Sequence, residues 1–256
     1  MDYELLIFGS SRAWVHYNPK IIDIVLSVNS YNLGRDGKKL DVSALMYNIY
    51  TKHNIKPKAI IVDYYFMSME KSDAYKREQF YPYLLNKDIW NSFHKIHQLN
   101  VLDRFFPMAK YYGNLKNTKF YFNENKPTYK GFHGSDSQWD GTTLKTIEQI
   151  PFYHDSTVIS MTASWFKQCK KDGVKVILVH SPIHNDATKK IDDIVAMRTF
   201  YQKLANKYNF PILDYYTDPI CFDTNYFYNA QHLNKKGVDY FTLKLSRDID
   251  SLNIFK

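Results

Sequence analysis

A serine near the start of the sequence and a histidine near its end are residue types that perform nucleophilic catalysis. Ser11 lies in the segment GSSR, after an apolar run that reads as a strand and before a segment that reads as a helix. A serine at such a turn presents its hydroxyl at the edge of the sheet, beside the N–H groups of a helix N-terminus, which attract anions. His232 lies in a loop before the last predicted helix. If the two ends meet, the imidazole can take the hydroxyl proton while the serine attacks a carbonyl carbon.

Other residues capable of chemistry are less well placed. The serine pair by itself is also typical of an ordinary helix cap, and its turn lacks the further glycines and the lysine of a phosphate-binding loop. His180 and His184 are four residues apart, but Pro182 prevents a regular helix from presenting both to a metal ion. The two cysteines, Cys169 and Cys221, do not have CxxC spacing. We therefore expect no metal and no organic cofactor.

Apolar runs of strand length alternate with longer helical patterns over most of the chain. The apolar runs predict strands at 5–8, 59–63, 174–180 and 210–214, and the predicted helices are 41–53, 156–171, 192–208 and 237–250. A further strand, the second of the sheet, is taken to precede residues 31–37, so 59–63 is the third. Strands that are apolar throughout and separated by helices are typical of a mostly parallel sheet covered on both faces. The sequence therefore predicts an α/β fold with a doubly wound sheet.

The alternation stops between residues 67 and 150, where the sequence becomes aromatic and polar. We predict a single domain over residues 1–256, with residues 67–150 as an insertion after the third strand. The insertion forms either a lid or substrate wall at the ligand crevice, or a satellite core over the sheet. Trp139 and its acidic neighbours resemble a sugar-facing set, although the same residues also suit a loop held by Asx turns.

Composition restricts the class of protein and its partners. The chain has 256 residues, of which 45% are hydrophobic and 23% charged, and this balance excludes disorder, collagen and coiled coil. The formal net charge is +8, but the basic residues are dispersed and no nucleic-acid-binding signature is present, so we expect no nucleic-acid partner. No segment reads as a membrane span or signal peptide. This is compatible with a cytosolic protein, and equally with a cell-envelope protein from which an export signal or anchor has been removed. The oligomeric state stays open.

Three short motifs precede or follow predicted elements of the sheet. They are GSSR after the first strand, YNLGRDG at residues 31–37 after the second, and HLNKKG at residues 232–237 before the last helix. Together they resemble the SGNH (GDSL-like) hydrolase superfamily, over residues 1–66 and 151–256 but not over the insertion. The resemblance implies a flavodoxin-like three-layer sandwich that hydrolyses or transfers an acyl ester.

The resemblance also implies roles for particular residues. Ser11 matches the nucleophile and His232 the base, while the backbone N–H groups of Ser11 and Gly37 match the oxyanion donors, with Gly34 as the alternative. One such donor contributes about 3 kcal/mol to the stability of the transition state. Arg12, which follows the nucleophile, either clamps an acidic substrate or pairs with a carboxylate of the scaffold.

Asn229 departs from the family's pattern. It stands three residues before His232, where the family usually has an aspartate. An asparagine carbonyl can accept the ring proton, but it does not stabilise an imidazolium by charge. Asp223 or a main-chain carbonyl is the alternative partner of the ring.

The end of the third strand departs as well. The family's asparagine donor is replaced by Asp63-Tyr64-Tyr65. Asp63 would repel an oxyanion, so it points elsewhere, is protonated or has another role, whereas the hydroxyl of Tyr64 or Tyr65 can donate. We include Asp63 and Tyr64 among the predicted substrate-binding residues, together with Arg12, Gly34 and Trp139.

Two functions follow from these observations. The first is a serine esterase or O-acyltransferase whose substrate is a small-molecule or glycan acyl ester, and the aromatic insertion favours a carbohydrate. The second is a catalytically impaired glycan-binding or assembly protein that keeps the scaffold and the serine turn.

Overall fold

A five-stranded parallel sheet forms the centre of the structure, a computed structural model that describes residues 2–70, 78–94, 99–106, 129–142 and 149–255. Its strands are β1 (Leu5–Phe8), β2 (Ser30–Asn32), β3 (Ala59–Asp63), β4 (Lys175–His180) and β5 (Ile212–Asp214). They lie in the order β2-β1-β3-β4-β5 and every neighbouring pair is parallel. This is the strand order of flavodoxin-like sheets, so the predicted fold class is confirmed.

Helices cover both faces of this sheet. They are α1 (Ser11–His16), α2 (Pro19–Leu26), α3 (Leu40–His53), α4 (Lys87–Phe93), α5 (Val101–Phe105), α6 (Ser156–Lys171), α7 (Asn185–Thr188), α8 (Ile194–Tyr208) and α9 (Lys235–Ser251). Short 3₁₀ helices span Glu78–Tyr83, Pro219–Phe222 and Thr224–Tyr226, and an antiparallel pair outside the sheet joins β6 (Phe227–Asn229) to β7 (His232–Leu233). Within the described residues no helix is both long and apolar enough to cross a membrane.

The strands separate two hydrophobic cores because successive side chains point to opposite faces. Leu5 and Ile7 of β1 contribute to the core beneath α1, α2 and α9, whereas Leu6 and Phe8 contribute to the core beneath α3, α6 and α8. All of β1 and β3 is buried, which explains why β1, and β3 up to its last residue Asp63, are apolar instead of alternating.

The sequence did not predict α2, α4, α5 or α7, and it began two strands, β4 and β5, too early. Helix α2 begins at Pro19, capped by Asn18, but its nearly continuous apolar residues do not distinguish a helix from a strand. Strand β5 begins at Ile212 instead of residue 210, because Asn209 adopts a left-handed conformation (φ 55°) that ends α8, and Phe210 still bonds to the Ala205 carbonyl.

The described parts of the predicted insertion pack in two places. A satellite core over α3 contains the following side chains: Val42, Leu45, Phe80, Leu84, Ile89, Trp90 and Leu99. Residues 129–142 lie instead beside β2 and α1, where the Asn32 N–H donates to the Lys130 carbonyl (2.9 Å) and the His133 N–H donates to the Trp14 carbonyl (3.1 Å). Residues 71–77, 95–98, 107–128 and 143–148 of the insertion lie outside the described residues, so its extent and its lid role stay predictions.

Candidate active site

The fold brings the serine and the histidine together. Ser11 Oγ lies 2.8 Å from His232 Nε2, although the two residues are 221 positions apart in the sequence. The Ser11 residue is half-buried. The geometry is that of a hydroxyl and the base that can take its proton.

Backbone geometry at the end of β1 places Ser11. Gly9 has φ 147°, and a Cβ there would lie 2.8 Å from the Ala13 Cβ and 3.0 Å from the Asp63 Cβ. The turn therefore requires glycine, which lets α1 start directly over the end of the sheet. The first N–H group that bonds back is that of Trp14, to the Ser10 carbonyl (3.1 Å). The N–H groups before it, including that of Ser11, have no intrahelical partner and can face an anion.

The short β6–β7 pair places His232. Its Nδ1 lies 2.9 Å from Asn229 Oδ1, which also accepts the Gln231 N–H (2.9 Å). An amide oxygen can only accept, so Nδ1 carries the hydrogen and Nε2 is free to accept from Ser11. Tyr228 stacks on the ring, with 5.4 Å between centroids and 9° between planes. Asp223, the other candidate partner of the ring, instead caps the N–H of Asn225 (2.9 Å).

Electrostatics keep the His232 ring neutral. Burial, and next the positive charge of Arg12, lower the pKa of His232 to about 4, while the Asp36 carboxylate acts in the opposite direction. The ring is therefore an unprotonated base at neutral pH, ready to accept a proton. The imidazolium that forms during the reaction has only the modest help of Asp36, because Asn229 carries no charge.

The two glycines predicted as oxyanion donors differ in the hydrogen bonding of their N–H groups. The Gly34 N–H donates to Asn32 Oδ1 (2.9 Å), and a Cβ at Gly34 would lie 2.4 Å from the Trp14 backbone nitrogen. Gly34 is therefore a packing residue, and its predicted role in substrate binding is wrong. Gly37 lies in the next turn with φ 66°, and its N–H has no hydrogen-bond partner among the described residues.

Asn32 is a residue that the sequence analysis missed. It is buried at the end of β2, where its side-chain NH₂ donates to the carbonyls of Ala13 (2.7 Å) and Tyr17 (2.9 Å). With the bond from Gly34, this amide ties the glycine loop to α1. The signal was an asparagine directly after a predicted strand, at the start of the glycine motif.

Arg12 and Asp63 take the scaffold alternative that the sequence left open for each, and not the substrate-binding role under which both were also named. Both are buried, with 1% and 0% exposure, and Arg12 Nε lies 3.9 Å from Asp63 Oδ2. Arg12 also donates through Nε (3.1 Å) and Nη2 (2.8 Å) to the Ser181 hydroxyl, and Asp63 accepts the Tyr17 hydroxyl proton (2.6 Å). Asp63 therefore points into the scaffold, and Arg12 pairs with it there.

The two tyrosines after β3 point to different places. Tyr64 is fully buried, with its ring centroid 4.0 Å from that of Tyr201 and 5.3 Å from that of His180, so its predicted role in substrate binding is wrong. The Tyr65 ring lies 5.8 Å from the Arg12 guanidinium carbon and 5.7 Å from Lys39 Nζ, and its hydroxyl lies beside Ser10 at the start of α1. Burial raises the pKa of Tyr65, so the hydroxyl keeps its proton and can donate it in a hydrogen bond.

Trp139 belongs to the core and not to a sugar platform. It is 5% exposed, its ring lies 4.8 Å from that of His184, and its backbone N–H donates to the Phe227 carbonyl (2.9 Å). Its predicted contact with substrate is therefore wrong. Through this buried residue, the segment 129–142 packs against β6.

The wall beside Ser11 comes from residues that the sequence analysis did not select. Trp14 follows one helical turn after Ser11 and stacks on His133, with 4.6 Å between centroids. The exposed Arg35 guanidinium lies 6.0 Å from the Trp14 ring. Among the described residues, no group of three histidine, cysteine or acidic side chains could hold a metal ion.

Three solved structures are similar to this chain over nearly its full length. A GDSL-like lipase from Bacteroides thetaiotaomicron VPI-5482 is 11% identical, covering 97% of this chain and 88% of that chain, with a TM-score of 0.49. A protein from Bacteroides fragilis NCTC 9343, provisionally named an acylhydrolase, is 12% identical over 97% of this chain and 86% of that chain, with a TM-score of 0.49. A provisionally named lipolytic protein of the G-D-S-L family from Desulfitobacterium hafniense DCB-2 is 10% identical over 95% of this chain and 98% of that chain, with a TM-score of 0.48.

No family model matches the sequence, and no curated protein matches it. Identities of 10–12% do not carry a reaction from one protein to another. A function can therefore be assigned to this chain only from the chemistry of its own side chains.

Proposed function

We propose that this chain is a serine esterase or O-acyltransferase, with Ser11 as nucleophile, His232 as base and Asn229 as the group that orients the base. One observation carries the proposal. A continuous series of hydrogen bonds runs from the Ser11 hydroxyl through the His232 ring (2.8 Å) to the Asn229 amide (2.9 Å). A hydroxyl, a base and an orienting acceptor in this order are the arrangement of a serine acyl transferase or hydrolase.

The reaction has two halves. Ser11 Oγ attacks the ester carbonyl while His232 Nε2 takes the hydroxyl proton, and the tetrahedral intermediate collapses when that proton passes to the departing alcohol oxygen. The acyl group is then on Ser11. Water, or the hydroxyl of an acceptor, attacks the acyl-serine and loses its proton to the same nitrogen, which returns it to Ser11 as the acid or the new ester leaves.

We assign three candidate donors to the developing oxyanion. The N–H of Ser11 opens α1, and the N–H of Gly37 lies in the loop that Gly34 packs against the same helix. We add the Tyr65 hydroxyl, which interacts with the Ser10 side chain at the start of α1. It replaces the side-chain amide that the sequence lacks at the end of β3, and each donor is worth about 3 kcal/mol in such sites.

A carbohydrate ester is the substrate class that the surroundings favour. The wall beside Ser11 combines the half-buried Trp14, its stacking partner His133 and the exposed Arg35. Tyr228 adds an aromatic face on the side of His232. Aromatic rings with polar edges match the alternating apolar faces and hydroxyls of a sugar. Trp139 no longer supports this assignment.

A non-catalytic glycan-binding or assembly protein is the second candidate. The observations that favour it are the neutral Asn229 and the nearby charge of Arg12, both of which disfavour the imidazolium. Such a protein would keep the serine turn as a binding feature. It would not react with a reagent that needs an activated serine.

Covalent labelling by a fluorophosphonate, combined with hydrolysis of p-nitrophenyl acetate, tests the proposal. We expect labelling of Ser11, located by peptide mass analysis, and ester turnover that is lost in Ser11→Ala and in His232→Ala. The matched controls are Ser164→Ala and His53→Ala, which remove exposed side chains of α6 and α3. Absence of labelling together with retained glycan binding would identify the second candidate instead.

A further inference from the structure

A second histidine lies under the site and has no part in the proposed reaction. His16 ends α1, is 0% exposed, and its ring meets that of His232 edge to face at 6.1 Å. A buried histidine costs desolvation of two polar nitrogens, so the bonds made by those nitrogens indicate what the residue does.

Both ring nitrogens of His16 are engaged. Nε2 accepts the backbone N–H of Leu233 (3.0 Å), and Nδ1 lies 3.0 Å from the Ser181 hydroxyl. Because an N–H can only donate, Nε2 carries no hydrogen, and the neutral ring has its hydrogen on Nδ1, which donates to Ser181. Burial lowers the pKa of His16 well below its usual value, in agreement with this neutral ring.

Each of these bonds reaches a different part of the site. Leu233 follows His232 directly, in a strand of two residues. Ser181 follows β4 and also accepts from Arg12, while the Thr242 hydroxyl of α9 donates to the His16 carbonyl (2.9 Å). The helix that begins with the nucleophile is thus fastened at its other end to the strand that carries the base.

We infer that His16 is a positioning residue that holds the β7 backbone so that His232 Nε2 faces the Ser11 hydroxyl. Strand β7 has only two residues and pairs with β6 alone, and the acceptor on His16 adds a second hold on its backbone at Leu233. The kinetic consequence rests on the proposed function. Because a misplacement of about 1 Å can cost about 100-fold in rate, loss of this acceptor should lower kcat. KM should not change, since His16 and Leu233 are both fully buried and do not face the substrate.

Two substitutions distinguish the effect of losing the hydrogen-bond acceptor from the effect of changing the side-chain volume. His16→Phe keeps a ring and removes the acceptor, with His16→Leu for the same comparison if the phenyl ring prevents folding. His16→Gln supplies an amide oxygen for the Leu233 N–H and an amide N–H for Ser181. The matched control is His180→Phe, which alters an equally buried histidine (1% exposed) bonded to Asp214 (3.1 Å).

The first measurement is p-nitrophenyl acetate turnover per active site, with sites counted by fluorophosphonate titration so that unfolded protein is excluded. We expect His16→Phe or His16→Leu to lose about 10- to 100-fold in kcat at unchanged KM. His16→Gln should stay within about threefold of the natural chain, and His180→Phe should keep its turnover per titrated site. Natural turnover per site in His16→Phe, or equal losses in the Gln and Phe variants, would overturn the inference.

The second measurement does not depend on activity. Hydrogen exchange of the Leu233 amide, followed by NMR, should be slow in the natural chain and in His16→Gln, and faster in His16→Phe. Unchanged exchange in His16→Phe would also overturn the inference. If the natural chain hydrolyses no ester, the proposed function fails, and the exchange rate still decides the role of His16.

Discussion

Arg12 and Asp63 form a buried ion pair directly beneath the turn that carries Ser11, with 3.9 Å between Arg12 Nε and Asp63 Oδ2. The residue after the nucleophile therefore points into the scaffold and joins the ends of β3 and β4. Ser181 and Tyr17 satisfy part of the pair by hydrogen bonds. The same charge acts on His232 and helps to keep that ring neutral.

The first prediction concerns stability. Arg12→Met leaves the Asp63 carboxylate buried without its cation, which should lower the free energy of unfolding by about 3–5 kcal/mol. Urea denaturation measures the change. Lys58→Met, which removes the exposed pair with Glu4 (2.7 Å), is the control and should cost less than about 1 kcal/mol. A loss of that small size in Arg12→Met would show that the buried pair is not needed.

The second prediction concerns pH dependence. A protonated His232 cannot accept the Ser11 proton, so activity should fall as pH decreases through a midpoint of about 4 in kcat/KM. Asp36 raises the pKa of His232, so Asp36→Asn should move this midpoint to lower pH. Asp140→Asn, which changes an exposed carboxylate of the insertion, should leave the midpoint where it is. A midpoint near the usual histidine value of about 6.5 would contradict the buried, neutral ring.

The third prediction concerns the orienting amide. Asn229→Asp keeps the acceptor for His232 Nδ1 and adds the charge that stabilises an imidazolium, so we expect turnover to rise at least about tenfold and the acid midpoint to rise with it. Asn229→Ala should lower turnover because the ring loses its partner at 2.9 Å. Asn225→Asp, in the neighbouring 3₁₀ helix, is the control. Steady-state rates over pH distinguish these cases, and no gain in Asn229→Asp would mean that charge at this position does not limit the reaction.

The fourth prediction compares the adjacent tyrosines. Tyr65→Phe removes the proposed oxyanion donor and should lower kcat by about 100-fold with little change in KM. Tyr64→Phe makes the same chemical change one residue away, and the Tyr64 hydroxyl is buried with no hydrogen-bond partner among the described residues. Tyr64→Phe should therefore keep natural turnover. Similar rates for the two variants would remove Tyr65 from the site.

Much of the fold was predictable because it depends on local periodicity. Fully buried strands such as Leu5–Phe8 are apolar at every position, and in helices such as Ser156–Lys171 the spacing of apolar residues and the capping residue are visible in the sequence. The turn at Ser11 was predictable for a similar reason, since Gly9 must adopt a backbone conformation that other residues avoid. Asn229 could be proposed as the partner of His232 because it stands three residues before the histidine, where the family that the sequence resembles usually has an aspartate.

The remaining assignments depended on partners that are remote in the sequence. The sequence does not show that Arg12 contacts Ser181, 169 positions away. Nor does it show that the N–H of Gly34 is bonded while that of Gly37 has no partner in the part of the chain that the structure describes. A tryptophan such as Trp139 suits both a sugar-binding surface and a hydrophobic core, so its residue type does not show which of the two it contacts. By itself the sequence determined the elements and the residue types at their ends, because hydrophobic period and backbone conformation are local properties. Only the tertiary structure decided which polar groups pair and which stay open to a substrate, because burial and hydrogen-bond partners are set by the packing of distant segments.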